Sequence, residues 1–127
     1  MTSSDTGIAL FERWTALWNG DFSDPETFLA PDFRIRFGND PDNAETDKIQ
    51  GPQGIVDYVS AFRTAKPGLR YTVDGTPMVD THLGRVASSW YVTLADGDQK
   101  SGIDLFEVAD GRIATVWSVT GLRRFTD

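Results

Sequence analysis

Three β-rich runs close the chain, spanning residues 85–98, 100–112 and 113–121, and two Asp-Gly turns join them at Asp96-Gly97 and Asp110-Gly111. Asp-Gly between alternating apolar runs is a strong hairpin signal, so this third of the chain predicts an antiparallel meander. One carboxylate, Asp104, stands inside the central run, within Gly102-Ile-Asp-Leu-Phe106. A charge at such a position must reach solvent, pair with a neighbour, or lie in a functional pocket.

The preceding residues predict helices. Ile8, Phe11, Trp14, Leu17 and Trp18 recur at helical spacing, which places a first helix from Gly7 to Trp18, stopped by Asn19-Gly20. Residues 1–6 are polar and read as a flexible arm, leaving 7–127 as one domain. Asp24 before Pro25 suggests a short second helix ending at Pro31. Residues 33–37 alternate with period two, as a strand does. Ile55, Tyr58, Val59 and Phe62 mark the inner face of a third helix after Gly51, broken by Lys66-Pro67-Gly68. Four strands then follow, at about 69–80, 84–95, 100–109 and 113–123. Helices early and strands late predict an α+β fold, a curved antiparallel sheet covered on one face by three N-terminal helices.

Hairpin register decides which way Asp104 points. A two- or four-residue loop at Asp96-Gly97-Asp98 sets Asp104 on the face of Ser89, Tyr91 and Thr93. At the second turn, a two-residue loop sets Trp117 beside Asp104, whereas a three-residue Ala109-Asp110-Gly111 loop sets Val116 and Ser118 there. The second option is preferred. One face then carries Asp104, Phe106, Tyr91, Val116 and Ser118, and the other Ile103, Leu105, Trp90, Val92, Trp117 and Val119. Both are apolar enough to need a cover. The mixed face suits a pocket, and a second copy of the chain is the economical cover for the other, burying Trp90, Trp117 and Leu105 in a homodimer.

A net charge of −7 argues against nucleic acid or an anionic membrane as partner. The acids of Asn39–Asp47 read as a solvated loop without calcium-ligand spacing. The chain has no cysteine, no apolar run of spanning length and no signal-peptide pattern, which fits a cytoplasmic protein. No phosphate-binding glycine loop or His/Cys cluster points to a cofactor or metal. His82, the single histidine, falls in an expected turn.

Residues 14–21 (WTALWNGD), 28–33 (FLAPDF), 51–55 (GPQGI), 102–113 (GIDLFEVADGRI) and 116–118 (VWS) together resemble the nuclear transport factor 2-like superfamily and, within it, the SnoaL-like proteins. The resemblance covers nearly the whole chain. It implies a cone in which a strongly bent sheet wraps the helices around an internal apolar pocket, with dimerisation through the outer sheet face. In ketosteroid isomerase-like members an acid matching Asp104 donates a hydrogen bond to the substrate oxyanion. Trp14 stands where those enzymes have a tyrosine. Phe37 stands near the place of their general base, with Asp40 nearby. Ser118 occupies the place of a second acid in SnoaL-like cyclases. The acid pattern of limonene epoxide hydrolase-like members is absent around Gly102 and Ser118.

The functional expectation is a small enzyme of isomerase or cyclase type. It would move a proton on an apolar, polycyclic carbonyl or enol compound, with Asp104 and Tyr91 as catalytic residues and no cofactor. Trp14, Trp18, Tyr58, Phe62, Phe106, Val116 and Ser118 are the expected substrate-binding residues. The alternative is a ligand-binding or accessory protein of the same fold, in which Asp104 hydrogen-bonds a neighbouring hydroxyl or Trp and only shapes the pocket.

Overall fold

The computed structural model describes residues 2–39 and 45–126. Helix α1 runs Ser4–Trp18. It begins earlier than the apolar spacing suggests because Ser3 caps it, its Oγ accepting from the Thr6 N–H at 3.1 Å. Residues 4–6 are therefore helical rather than a flexible arm. Leu10, Phe11, Trp14 and Leu17 form the buried stripe. The second expected helix is a single 3-10 turn, Pro25–Thr27. Asp24 sits in the left-handed region at φ 49° and its side chain makes no cap bond, so the helix is never nucleated. Helix α2, Gly51–Ala65, buries Ile55 and Val59.

The strands are β1 Leu29–Phe37, β2 Arg70–Val73, β3 Met78–Asp80, β4 Arg85–Thr93, β5 Gln99–Ala109 and β6 Arg112–Thr120. They form one open sheet in the order β1-β6-β5-β4-β2, with β3 also on β4. The expectation of a purely antiparallel sheet is corrected. β1 pairs with β6 in parallel, so the sheet is mixed. The run expected as one strand over 69–80 is two, both on β4, split where Gly75 takes φ 88°.

Both hairpin loops differ from expectation. Leu94 N–H donates to Asp98 O at 2.8 Å, which closes a three-residue Ala95-Asp96-Gly97 loop. That odd loop pairs Asp104 with Ser88 and puts Trp90 and Val92 on the Asp104 face. Tyr91 and Trp90 thus exchange the faces expected for them. The second hairpin closes with a two-residue Asp110-Gly111 turn, both residues at positive φ, with Ala109 opposite Arg112. A register shift between Glu107 and Val108 then leaves Ala114 unpaired as a bulge, and Asp104 still meets Ser118 and Phe106 still meets Val116. The expected facing is correct, but a bulge produces it rather than a three-residue loop.

Two details fix the sheet against the helices. The Asn19 side chain bonds the β2 backbone twice, accepting from Tyr71 N–H at 2.7 Å and donating to Tyr71 O at 2.9 Å. It therefore acts as a short substitute strand on an otherwise bare edge. At Gly102, opposite Trp90, any Cβ would overlap the Trp90 ring, so the indole lies flat across β5 only because residue 102 has no side chain.

Candidate functional site

A cavity of about 450 Å³ lies between α1, α2 and the inner sheet face, within the range of small-molecule sites. Its walls are aromatic. Trp18 is central, with ring centroids 5.9 Å from Phe62, 6.3 Å from Tyr58 and 5.4 Å from Tyr71. Trp14 meets Trp18 edge-on at 6.0 Å, and Tyr71 meets Trp90 at 5.5 Å. Such edge-to-face contacts hold the rings at fixed angles.

Asp104 lines this cavity and is only 5% exposed. Its Oδ2 accepts from Trp14 Nε1 at 2.8 Å, which ties β5 to α1. Burial pushes its carboxyl above the usual range; hydrogen bonding from Ser118, Trp14 and Trp90 opposes the rise without cancelling it. Of these three donors only Trp14 reaches full hydrogen-bond geometry. Asp104 Oδ1 and Trp90 Nε1 are enclosed and lack a partner of that quality, while the Ser118 hydroxyl and the Trp90 indole also favour the ionised carboxyl. Burial also raises the phenols of Tyr58 and, more strongly, Tyr71.

Of the residues singled out in the sequence, Trp14, Trp18, Tyr58, Phe62, Asp104 and Ser118 converge on the cavity. Phe106 and Val116 are fully buried in the core behind it, Phe106 stacked on Phe11 at 4.7 Å. Tyr91 does not belong to the site. It faces the other side of the sheet, with the Arg124 guanidinium 3.8 Å above its ring. His82 is exposed in a turn whose N–H groups are held by Asp80 Oδ1. Asp40 lies outside the described residues.

Sequence reasoning missed Tyr71 and Trp90 as lining residues. Trp90 was lost with the β4 register. Tyr71 carried a usable signal, the alternation of Arg70-Tyr-Thr-Val73, but which face it takes follows from pairing with Val92. The rim adds Lys66, whose ammonium lies 5.1 Å from the Phe62 ring centroid, and Thr120. Among the described residues no group of three or more metal-ligating side chains assembles, and no helix is long and apolar enough to cross a membrane.

The model of the SnoaL-like domain matches residues 9–116. The chain belongs to the SnoaL-like domain family. Solved structures agree on the fold. A provisionally named isomerase of the SnoaL-like family from Agrobacterium tumefaciens is 24% identical, with 92% of this chain and 98% of that one covered, at a TM-score of 0.75. A provisionally named ketosteroid isomerase from Kribbella flavida is 22% identical over 100% of this chain and 86% of its own, at 0.73. A provisionally named polyketide cyclase from Acidithiobacillus ferrooxidans is 18% identical over 96% and 92%, at 0.74. No curated protein matches. The SnoaL-like fold hosts several chemistries, so at these identities the likeness carries the scaffold and the site must carry the function.

Proposed function

We propose that this SnoaL-like protein is an isomerase- or cyclase-type enzyme acting on an apolar compound with a carbonyl or enol oxygen. The observation that carries the proposal is the buried Asp104 carboxyl, its pKa raised, at the wall of an aromatic cavity. A carboxyl kept protonated can give a hydrogen bond or a proton to a ligand oxygen as charge develops there. When the α-carbon loses its proton to water, the carbonyl becomes an enol. Reprotonation at a different carbon gives an isomer, and attack of the enol carbon on a second carbonyl closes a ring. Trp18, Tyr58, Phe62 and Tyr71 supply flat apolar walls that suit fused rings. The names borne by the similar structures, isomerase and polyketide cyclase, support this kind of chemistry.

A second reading is a binder without turnover. It is favoured by the lining itself: of the described residues that form it, Asp104 is the sole carboxylate and none is a histidine. Binding of an aromatic ketone compared with its parent hydrocarbon, followed by tryptophan fluorescence, tests what both readings share. Tighter binding of the ketone is expected, and equal binding would remove the polar anchor from either.

A second copy of the chain is proposed as the cover of the outer sheet face. Ile103, Trp117 and Val119 are each about half exposed there. Trp90, expected in that interface, points inward instead.

A further inference from the structure

Asp104 borders the cavity, yet its own oxygens are poorly placed to meet a ligand. Oδ2 is held by Trp14 and Oδ1 is enclosed. With Oδ2 engaged by Trp14 and Oδ1 enclosed, a neighbouring hydroxyl gives a proton on this carboxyl a route to the ligand. Trp14 and Trp90 present indole N–H groups, which donate and cannot accept. Two hydroxyls flank Asp104 across its strand, Ser88 on β4 and Ser118 on β6. Ser88 donates to Ser89 O at 2.9 Å and is not part of the cavity wall. Ser118 is 5% exposed, lines the cavity, and lies on the same face of β6 as Thr120 at the rim.

We propose that Ser118 is the residue that touches the ligand oxygen and relays the Asp104 proton to it. This rests on the carbonyl-ligand reading above. Asp104 O–H gives its proton to Ser118 Oγ, and Ser118 gives its own to the ligand oxygen. Two O–H bonds break and two form, leaving a carboxylate and a protonated ligand oxygen. The reverse passage restores the acid when the enol returns to a carbonyl. A hydroxyl receiving a hydrogen bond is also a better donor, so the ligand meets a stronger donor than an isolated serine. Ser118 lies directly opposite Asp104 in the β5–β6 pairing, and both side chains line the same cavity, which sets the two groups side by side.

The test uses the whole chain and 1-tetralone labelled with ¹³C at its carbonyl, observed by NMR. Bound to the wild-type protein, the carbonyl resonance should move downfield as it accepts a hydrogen bond. Ser118→Ala should still bind, weakened roughly 2- to 10-fold, with the downfield shift lost. Asp104→Ala should reduce the shift, and Ser118→Thr should keep it. A shift that survives Ser118→Ala but disappears in Asp104→Ala overturns the relay and leaves the carbonyl-ligand reading standing. A shift lost in Ser118→Ala and unchanged in Asp104→Ala also overturns the relay, since the serine then acts alone. A wild-type protein that does not bind the ketone, or binds it without a shift, overturns both. If Ser118→Ala fails to fold, Ser118→Cys retains the volume with a weak donor, and the same loss of shift is expected.

Discussion

Trp14 Nε1 donates to Asp104 Oδ2 at 2.8 Å across 90 positions of sequence, and among the described residues it is the one full-geometry hydrogen bond on this buried carboxyl. It joins the first helix to the middle of the sheet. Trp14→Phe keeps the ring and removes the donor. Because that donor favours the ionised form, its loss should raise the Asp104 pKa further. It should also cost about 1–3 kcal/mol of stability. Urea unfolding in a double-mutant cycle with Asp104→Asn would show the coupling, and additive effects would contradict it.

Asp104 also makes stability depend on pH, with a sign that follows from its raised pKa. Below the ordinary carboxyl range the group is protonated in both folded and unfolded chains and contributes no difference. Above a pH of about 4 the unfolded chain ionises while the folded one does not. The wild-type protein should then lose stability relative to Asp104→Asn by up to about 1.4 kcal/mol per pH unit. The loss ends once Asp104 ionises in the folded state. Unfolding midpoints across the acid-to-neutral range measure this directly. A difference independent of pH would mean that Asp104 titrates normally.

Gly102→Ala should displace the Trp90 indole, because the new methyl would occupy the same space as the ring. A destabilisation of about 1–3 kcal/mol is expected from overpacking. A change in Trp90 fluorescence should accompany it, and weaker ketone binding should follow if Trp90 shapes the cavity. An unchanged emission spectrum would show that the ring does not depend on this glycine.

Much of the fold was legible because it is local. The stripes of α1 and α2 and the placing of two hairpin turns at Asp-Gly follow from patterns a few residues long. What was illegible depends on single-residue shifts or distant partners. Leu94 and Asp98 close a loop one residue odd, and that exchanged Trp90 for Tyr91 on the cavity side. The bulge at Ala114 restored a register that the Asp110-Gly111 turn alone would have reversed. The parallel pairing of β1 with β6 joins segments about 80 residues apart by register, Arg34 with Thr115 among them, and no local signal encodes it. The candidate site was therefore readable in its helical residues and in Asp104, and less so wherever strand register chose the side chain.

The outer sheet face offers a separate test. If a second copy covers Ile103, Trp117 and Val119, light scattering at micromolar concentration should give twice the 14.1 kDa chain mass. Trp117→Glu should give monomers, since an unpaired charge in an apolar interface is costly. A wild-type monomer with Trp117 open to quenchers would remove the homodimer.

The central claim is that Asp104 takes part in moving a proton on a bound carbonyl compound. The most direct measurement is deuterium exchange at the α-carbon of a cyclic aromatic ketone in D₂O, followed by proton NMR with wild-type, Asp104→Asn and Asp104→Ala proteins. The wild type should accelerate exchange. Asp104→Asn should lower the rate by roughly 10²-fold or more if Asp104 transfers a proton, with binding little changed. Retention of much of the rate in Asn but not in Ala would mean that Asp104 acts by hydrogen-bond donation. Equal exchange by all three proteins would contradict any part for Asp104 in the chemistry.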